Sequence, residues 1–157
     1  MKELEVAVHA AEEAGRLLMR FYGKVDVQFK RDKSFVTEAD VQSERTIKEI
    51  LEEKFPDYSF LGEETGLQKR DSKYTWIVDP LDGTTNFSIG HPFFAVSIAL
   101  VSSETPIVGV VHYPFMKETF SAEKLKGESS LGQLYCCFMT IGEASDCYRF
   151  IEHIVCG

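Results

Sequence analysis

Trp76-Ile77-Val78-Asp79-Pro80-Leu81-Asp82-Gly83-Thr84-Thr85-Asn86-Phe87 is the stretch on which the reading of this chain turns. Tyr74–Val78 is apolar and reads as a buried strand that stops at Asp79-Pro80, so two carboxylates three residues apart leave at its exit. Pro80 fixes its own φ and biases Asp79 toward an extended backbone. The Leu81 carbonyl can then turn into the space that Asp79 and Asp82 face. Gly83 lets the backbone approach a ligand without a Cβ clash. Thr84 to Phe87 can open a helical turn whose N–H groups point at an anion. Hard oxygen ligands beside an anion-binding backbone suit magnesium together with a phosphate. A plain Asx turn, with Asp82 capping a helix, accounts for one acid. It leaves the second acid, the proline, the glycine and the paired threonines unexplained.

A superficial competitor is the D-x-D-G-T signature of haloacid dehalogenase-like phosphatases, whose first Asp is a covalent nucleophile. Here Pro80 stands where that Asp would fall and the spacing is D-x-x-D, so a covalent aspartyl mechanism is rejected. Three further stretches carry candidates. Phe60-Leu61-Gly62-Glu63-Glu64-Thr65-Gly66 places two adjacent acids after a short strand; alone it reads as a solvated loop. In Val36-Thr37-Glu38-Ala39-Asp40, Thr37 as N-cap with Asp40 three residues later resembles a capping box, which explains the pair without catalysis. Lys30-Arg31-Asp32-Lys33-Ser34 is a charged loop, and a lysine there can meet a phosphate if the loop folds over the site.

Outward from these motifs, Leu4, Ala7, Val8, Ala11, Gly15, Leu18 and Phe21 recur at helical spacing and predict an amphipathic helix over 3–22, ended by Gly23. Val25, Val27 and Phe29 alternate as a short strand. A second helix starts at Thr37, with Ile47, Ile50, Leu51 and Phe55 as its core face and Pro56 beyond its end. Strands are expected at Tyr58–Leu61, Tyr74–Val78, Phe93–Val101, Ile107–Val111 and Glu118–Ala122, with Ser102–Pro106 as a hairpin turn. Two helices followed by hairpin-linked strands imply an α+β layered sandwich with a mostly antiparallel sheet. Strict βαβ alternation is absent, which disfavours a Rossmann fold.

The chain has 157 residues, 44% of them hydrophobic and 27% charged, so it can bury a core and is neither disordered nor collagen-like. Its net charge of −8 argues against a nucleic-acid binder. No apolar run is long enough for a membrane span, and the acids from Glu3 onward argue against a signal peptide. With no cysteine before Gly127, a soluble cytoplasmic protein is expected. Composition then changes. Residues 127–157 hold Cys136, Cys137, Cys147 and Cys156, no lysine and no proline, and nothing in their spacing supports zinc or a disulfide framework.

Taken together, WIVDPLDGTTNF, FLGEETG and VTEAD resemble the inositol monophosphatase family, in the wider superfamily with fructose-1,6-bisphosphatase, from about Leu4 to about Lys126. The resemblance extends to HPFFAVSIALV and PIVGVVHYP. It implies the N-terminal half of the sugar-phosphatase αβαβα fold and hydrolysis of inositol monophosphate or a related sugar phosphate, such as fructose 1,6-bisphosphate, by metal-activated water. Implied metal ligands are Glu63, Asp79, the Leu81 carbonyl and Asp82. Glu63 and Thr84 match the pair that orients the attacking water, and Asp40 the acid that holds that threonine. Gly83, Thr84 and Thr85 match the phosphate-binding segment, and Lys30 or Lys33 a loop lysine near the site. Two or three magnesium ions are implied, with manganese as a substitute, in a homodimer acting on a small phosphate ester, with no nucleic-acid or membrane partner.

The family departs from this chain after Lys126. Members are longer by about a domain, and their second half carries a W-D-x-A motif whose aspartate is the remaining ligand of the second metal. Trp76 is the only tryptophan here. Glu128, Glu143, Asp146 and Glu152 are candidates to replace that ligand, though their spacing recommends none. The expected organisation is therefore a phosphatase N-terminal domain at 1–126 and a divergent cysteine-containing tail at 127–157, with a truncated or frame-altered end. The alternative to an active enzyme is a catalytically inactive relative that binds metal or dimerises.

Overall fold

The computed structural model describes residues 2–23, 28–29, 35–36, 38–103, 105–124 and 135–137. Helix α1 (Lys2–Phe21) buries Ala7, Ala10, Ala11, Ala14, Gly15 and Leu18 along one stripe. These small residues let its backbone lie close to the sheet. At Gly15 the approach is close enough that a Cβ would stand 2.5 Å from His112 Cδ2. Helix α2 (Glu38–Lys54) packs against α1 and against the strand that carries Asp79. Ile47 and Leu51 are buried as the spacing predicts, with Ile50 and Phe55 partly buried against the same core. The N-terminal half of that face is instead polar, with Asp40, Ser43 and Glu44 all buried.

The strands are β1 (Gln28–Phe29), β2 (Phe35–Val36), β3 (Ser59–Gly62), β4 (Gly66–Gln68), β5 (Tyr74–Asp82), β6 (Ala95–Ser102), β7 (Thr105–Tyr113), β8 (Glu118–Glu123) and β9 (Tyr135–Cys137). β1 and β2 form a separate antiparallel pair, and the other seven form one sheet in the order β4-β3-β5-β6-β7-β8-β9. Every pairing in that sheet is antiparallel except β3 with β5. The mostly antiparallel α+β reading therefore holds. Trp76, Val78, Val96, Ile98, Leu100, Val108 and Val110 meet the helix stripes in one core.

Several boundaries differ from those expected. β5 does not stop at Val78; it runs on to Asp82 through Pro80. Its register with β6 shifts between Asp79↔Ser97 and Asp82↔Ala95, so three steps on β5 face two on β6. Pro80 has no N–H to offer a ladder, and a bulge is where a strand tolerates it. Pro106 is likewise absorbed into β7 at a second shift, opposite Val101, and the hairpin closes with Ser102 paired to Thr105. The turn is thus tighter than Ser102–Pro106, and Phe93 and Phe94 precede β6. β2 and β4 are too short to carry a readable alternation. Val25, Val27 and Thr37 lie outside the described residues. Among the described residues no helix is long and apolar enough to cross a membrane.

Candidate active site

The bulge at Pro80 separates two carboxylates along one strand and turns the peptide between them. Asp79 is the last residue of β5 in regular register, and its Oδ1 accepts the Leu81 N–H at 3.2 Å. The Pro80 carbonyl accepts the buried Ser43 hydroxyl of α2 at 2.9 Å. The Leu81 carbonyl accepts the Thr84 hydroxyl at 3.0 Å. Each peptide oxygen of the bulge therefore has a defined direction.

The parallel neighbour β3 delivers the third acid. Gly62 pairs with Val78, and the Glu63 N–H continues the ladder onto the Val78 carbonyl at 3.2 Å. The Glu63 side chain reaches Asp79 and hydrogen-bonds it. The Asp79 carboxyl is pushed up to about 7, by burial first, then by the negative charges of Glu63 and Asp82, against the Leu81 N–H that favours its ionised form. Glu63 and Asp82 are each within electrostatic reach of Asp79. Among the described residues, however, no three acidic, His or Cys side chains close tightly around a common centre. The donors are all oxygen, three carboxylates and a peptide carbonyl, and they fit a hard divalent cation. A cation would also relieve the repulsion that raises Asp79.

Beyond Asp82 the chain enters α3 (Thr84–Ser88) through Gly83, at φ 85° and ψ 35°. A Cβ on Gly83 would stand 3.0 Å from the Phe93 carbonyl oxygen, which also accepts the Asn86 amide at 2.8 Å. Gly83, Thr84 and Thr85 thus form a tight first turn, pinned to Phe93 just ahead of β6. N–H groups in such a first turn have no partner within the helix. At the far end of this segment, the Tyr22 hydroxyl donates to the Gly90 carbonyl at 2.5 Å.

Asp40 is buried on α2, one helical turn before Glu44 and on the face that meets β5. Lys30, Lys33, Glu128, Glu143, Asp146 and Glu152 lie outside the described residues. Two polar residues in the site's surroundings escaped the sequence reading. Ser43 holds the Pro80 carbonyl, and Glu44 accepts the Glu64 and Thr65 N–H groups at 2.7 and 2.9 Å. Their signal was phase: Asp40, Ser43 and Glu44 fall on the same helical stripe as Ile47 and Leu51, where a polar residue needs a buried partner.

The model of the inositol monophosphatase family matches residues 2–149. The chain belongs to the inositol monophosphatase family. A fructose-1,6-bisphosphatase/inositol-1-monophosphatase from Aquifex aeolicus is 44% identical over 126 residues, 78% of this chain and 48% of that protein. An inositol-1-monophosphatase from Caulobacter vibrioides is 46% identical over 125 residues, 76% of this chain and 49% of its own length. Among solved structures, the extragenic suppressor protein suhB from Bartonella henselae superposes with a TM-score of 0.77 at 40% identity, covering 87% of this chain and 52% of that one. An IMPase from Thermotoga maritima gives 0.76 at 31% identity, covering 98% and 65%. The chain spans about half the length of the curated relatives it matches. The family match runs past Lys126 to residue 149, and β9 adds to the sheet beyond β8.

Proposed function

We propose that this chain carries the metal- and phosphate-binding half of a magnesium-dependent phosphomonoesterase acting on inositol monophosphate or a related sugar phosphate. The observation that carries the reading is the approach of Glu63 and Asp82 to Asp79 around a bulge whose Leu81 carbonyl is tied to Thr84. Glu63, Asp79, Asp82 and the Leu81 carbonyl would hold the cations, which when bound would activate water and neutralise charge on the phosphate and the leaving oxygen. Glu63 would take the proton of the attacking water, with the Thr84 hydroxyl orienting that water. Asp40 would orient Thr84 from α2 once the Thr84 hydroxyl turns from the Leu81 carbonyl to which it donates here. The Gly83, Thr84 and Thr85 N–H groups would bind phosphate oxygens. A cytoplasmic homodimer, with manganese able to replace magnesium, completes the proposal. The division into a phosphatase domain at 1–126 and a divergent tail at 127–157 stands as a proposal beside the match through residue 149.

A second reading is a catalytically inactive relative of these enzymes. On that reading the chain binds metal or dimerises without turnover. Phosphate release from inositol 1-phosphate and fructose 1,6-bisphosphate, with and without magnesium, separates the two. Turnover that requires both magnesium and Asp79, judged against Asp79→Asn, establishes the enzyme. Magnesium binding or dimerisation without turnover establishes the second reading, and the absence of turnover, binding and dimerisation would refute both.

A further inference from the structure

Glu44 is 1% exposed, yet it lies in the acid-rich part of the fold and makes no ion pair among those of the described residues. Its carboxylate spends itself on backbone. Oε2 accepts the Glu64 N–H at 2.7 Å and Oε1 the Thr65 N–H at 2.9 Å. The same carboxylate is packed on Gly62, where an added Cβ would fall 2.5 Å from Cδ and Oε2 and 2.6 Å from Oε1. Glu63 is therefore bracketed. The residue before it is glycine because the carboxylate occupies the space of a side chain. Its own N–H is fixed by the Val78 carbonyl, and the two N–H groups after it are fixed by Glu44.

We propose that Glu44 is a positioning residue, whose buried carboxylate holds the Glu63–Thr65 turn and so aims the Glu63 side chain at Asp79. The proposal rests on the reading of Glu63 as a metal ligand and adds a residue to it. Two acceptor oxygens matched to two consecutive N–H groups define an orientation that a single hydrogen bond would leave free to rotate. The turn joins β3 to β4 and bears a mostly exposed Glu63, so little apolar packing is available to hold it otherwise.

Glu44→Gln preserves shape but sets an NH2 group against one of the two N–H donors. Far-UV circular dichroism, amide hydrogen exchange at Glu64 and Thr65, and magnesium titration by calorimetry would be read on the full chain and this variant. Expected are an unchanged spectrum, faster exchange at both amides, and magnesium affinity lower by about tenfold, the lower end for losing a partner that orients a ligand. Glu49→Gln, on the exposed side of α2, should leave all three readings unchanged. Gly62→Ala displaces the carboxylate without removing it and should reproduce both losses, which keeps the test decisive if Glu44→Gln fails to fold. Parent-like exchange and affinity in a folded variant would overturn the proposal. If the parent itself binds no magnesium, the metal reading fails, and amide exchange alone still decides whether Glu44 holds the turn.

Discussion

At Gly83 two constraints coincide: a left-handed backbone and a carbonyl oxygen 3.0 Å from where a Cβ would stand. Alanine there would carry a left-handed penalty of about 1–2 kcal/mol, with the contact in addition. Urea denaturation of Gly83→Ala should show a loss of at least that size. His112 supplies a pH test away from the acids. Burial pushes its imidazole below the ordinary 6.5, and the nearby Arg16 charge acts in the same direction. The Glu12 charge and a Glu118 backbone hydrogen bond oppose this, while Nδ1 is 2.9 Å from the Thr119 hydroxyl. A ring held neutral in the folded state binds fewer protons than the unfolded chain just below pH 6.5. Stability should therefore fall as pH drops through that value. Thermal melts between pH 8 and 5 should show a shallower acid slope for His112→Gln than for the parent. Asp79, Asp82 and Glu63 were legible because acids cluster with proline and glycine in the text itself. Ser43 and Glu44 were not, since their partners are main-chain atoms 37 and 20 or 21 residues away.

Secondary structure was readable wherever a period ran for several turns, as in α1 and the body of α2. It failed at prolines. Pro80 and Pro106 look like strand terminators in a linear reading, but each sits in a strand at a register shift, where the missing N–H is tolerated. The bulge at Pro80 depends on α2 through one hydroxyl. Ser43→Ala would leave the Pro80 carbonyl without that buried donor, and should destabilise the protein by about 1–3 kcal/mol. The measurement is the midpoint of chemical denaturation at unchanged slope. A loss much smaller than this would mean that the bulge holds its shape without the helix.

Across the whole molecule, layer order and sheet character followed from the run of two helices before five hairpin-linked strands. The parallel β3–β5 pair did not, because β4 is only three residues long and hides the crossover. Carboxylates gather at the exits of β3 and β5, where Glu63 and Asp82 both raise the Asp79 pKa. On the proposed function magnesium would bind these acids only in the native state, so it should raise the melting temperature of the parent. Asp79→Asn should melt higher than the parent without magnesium and gain less when it is added. Differential scanning calorimetry with and without the ion checks both statements.

The three acids all fall between Glu63 and Asp82, and the strands that present them are joined by residues 63–73 alone. A loop that short closes at little entropic expense, so this sector can organise early in folding. Electrostatic repulsion among the acids then belongs to the folding barrier as well as to the final state. Added cation should accordingly quicken refolding, and not merely slow unfolding.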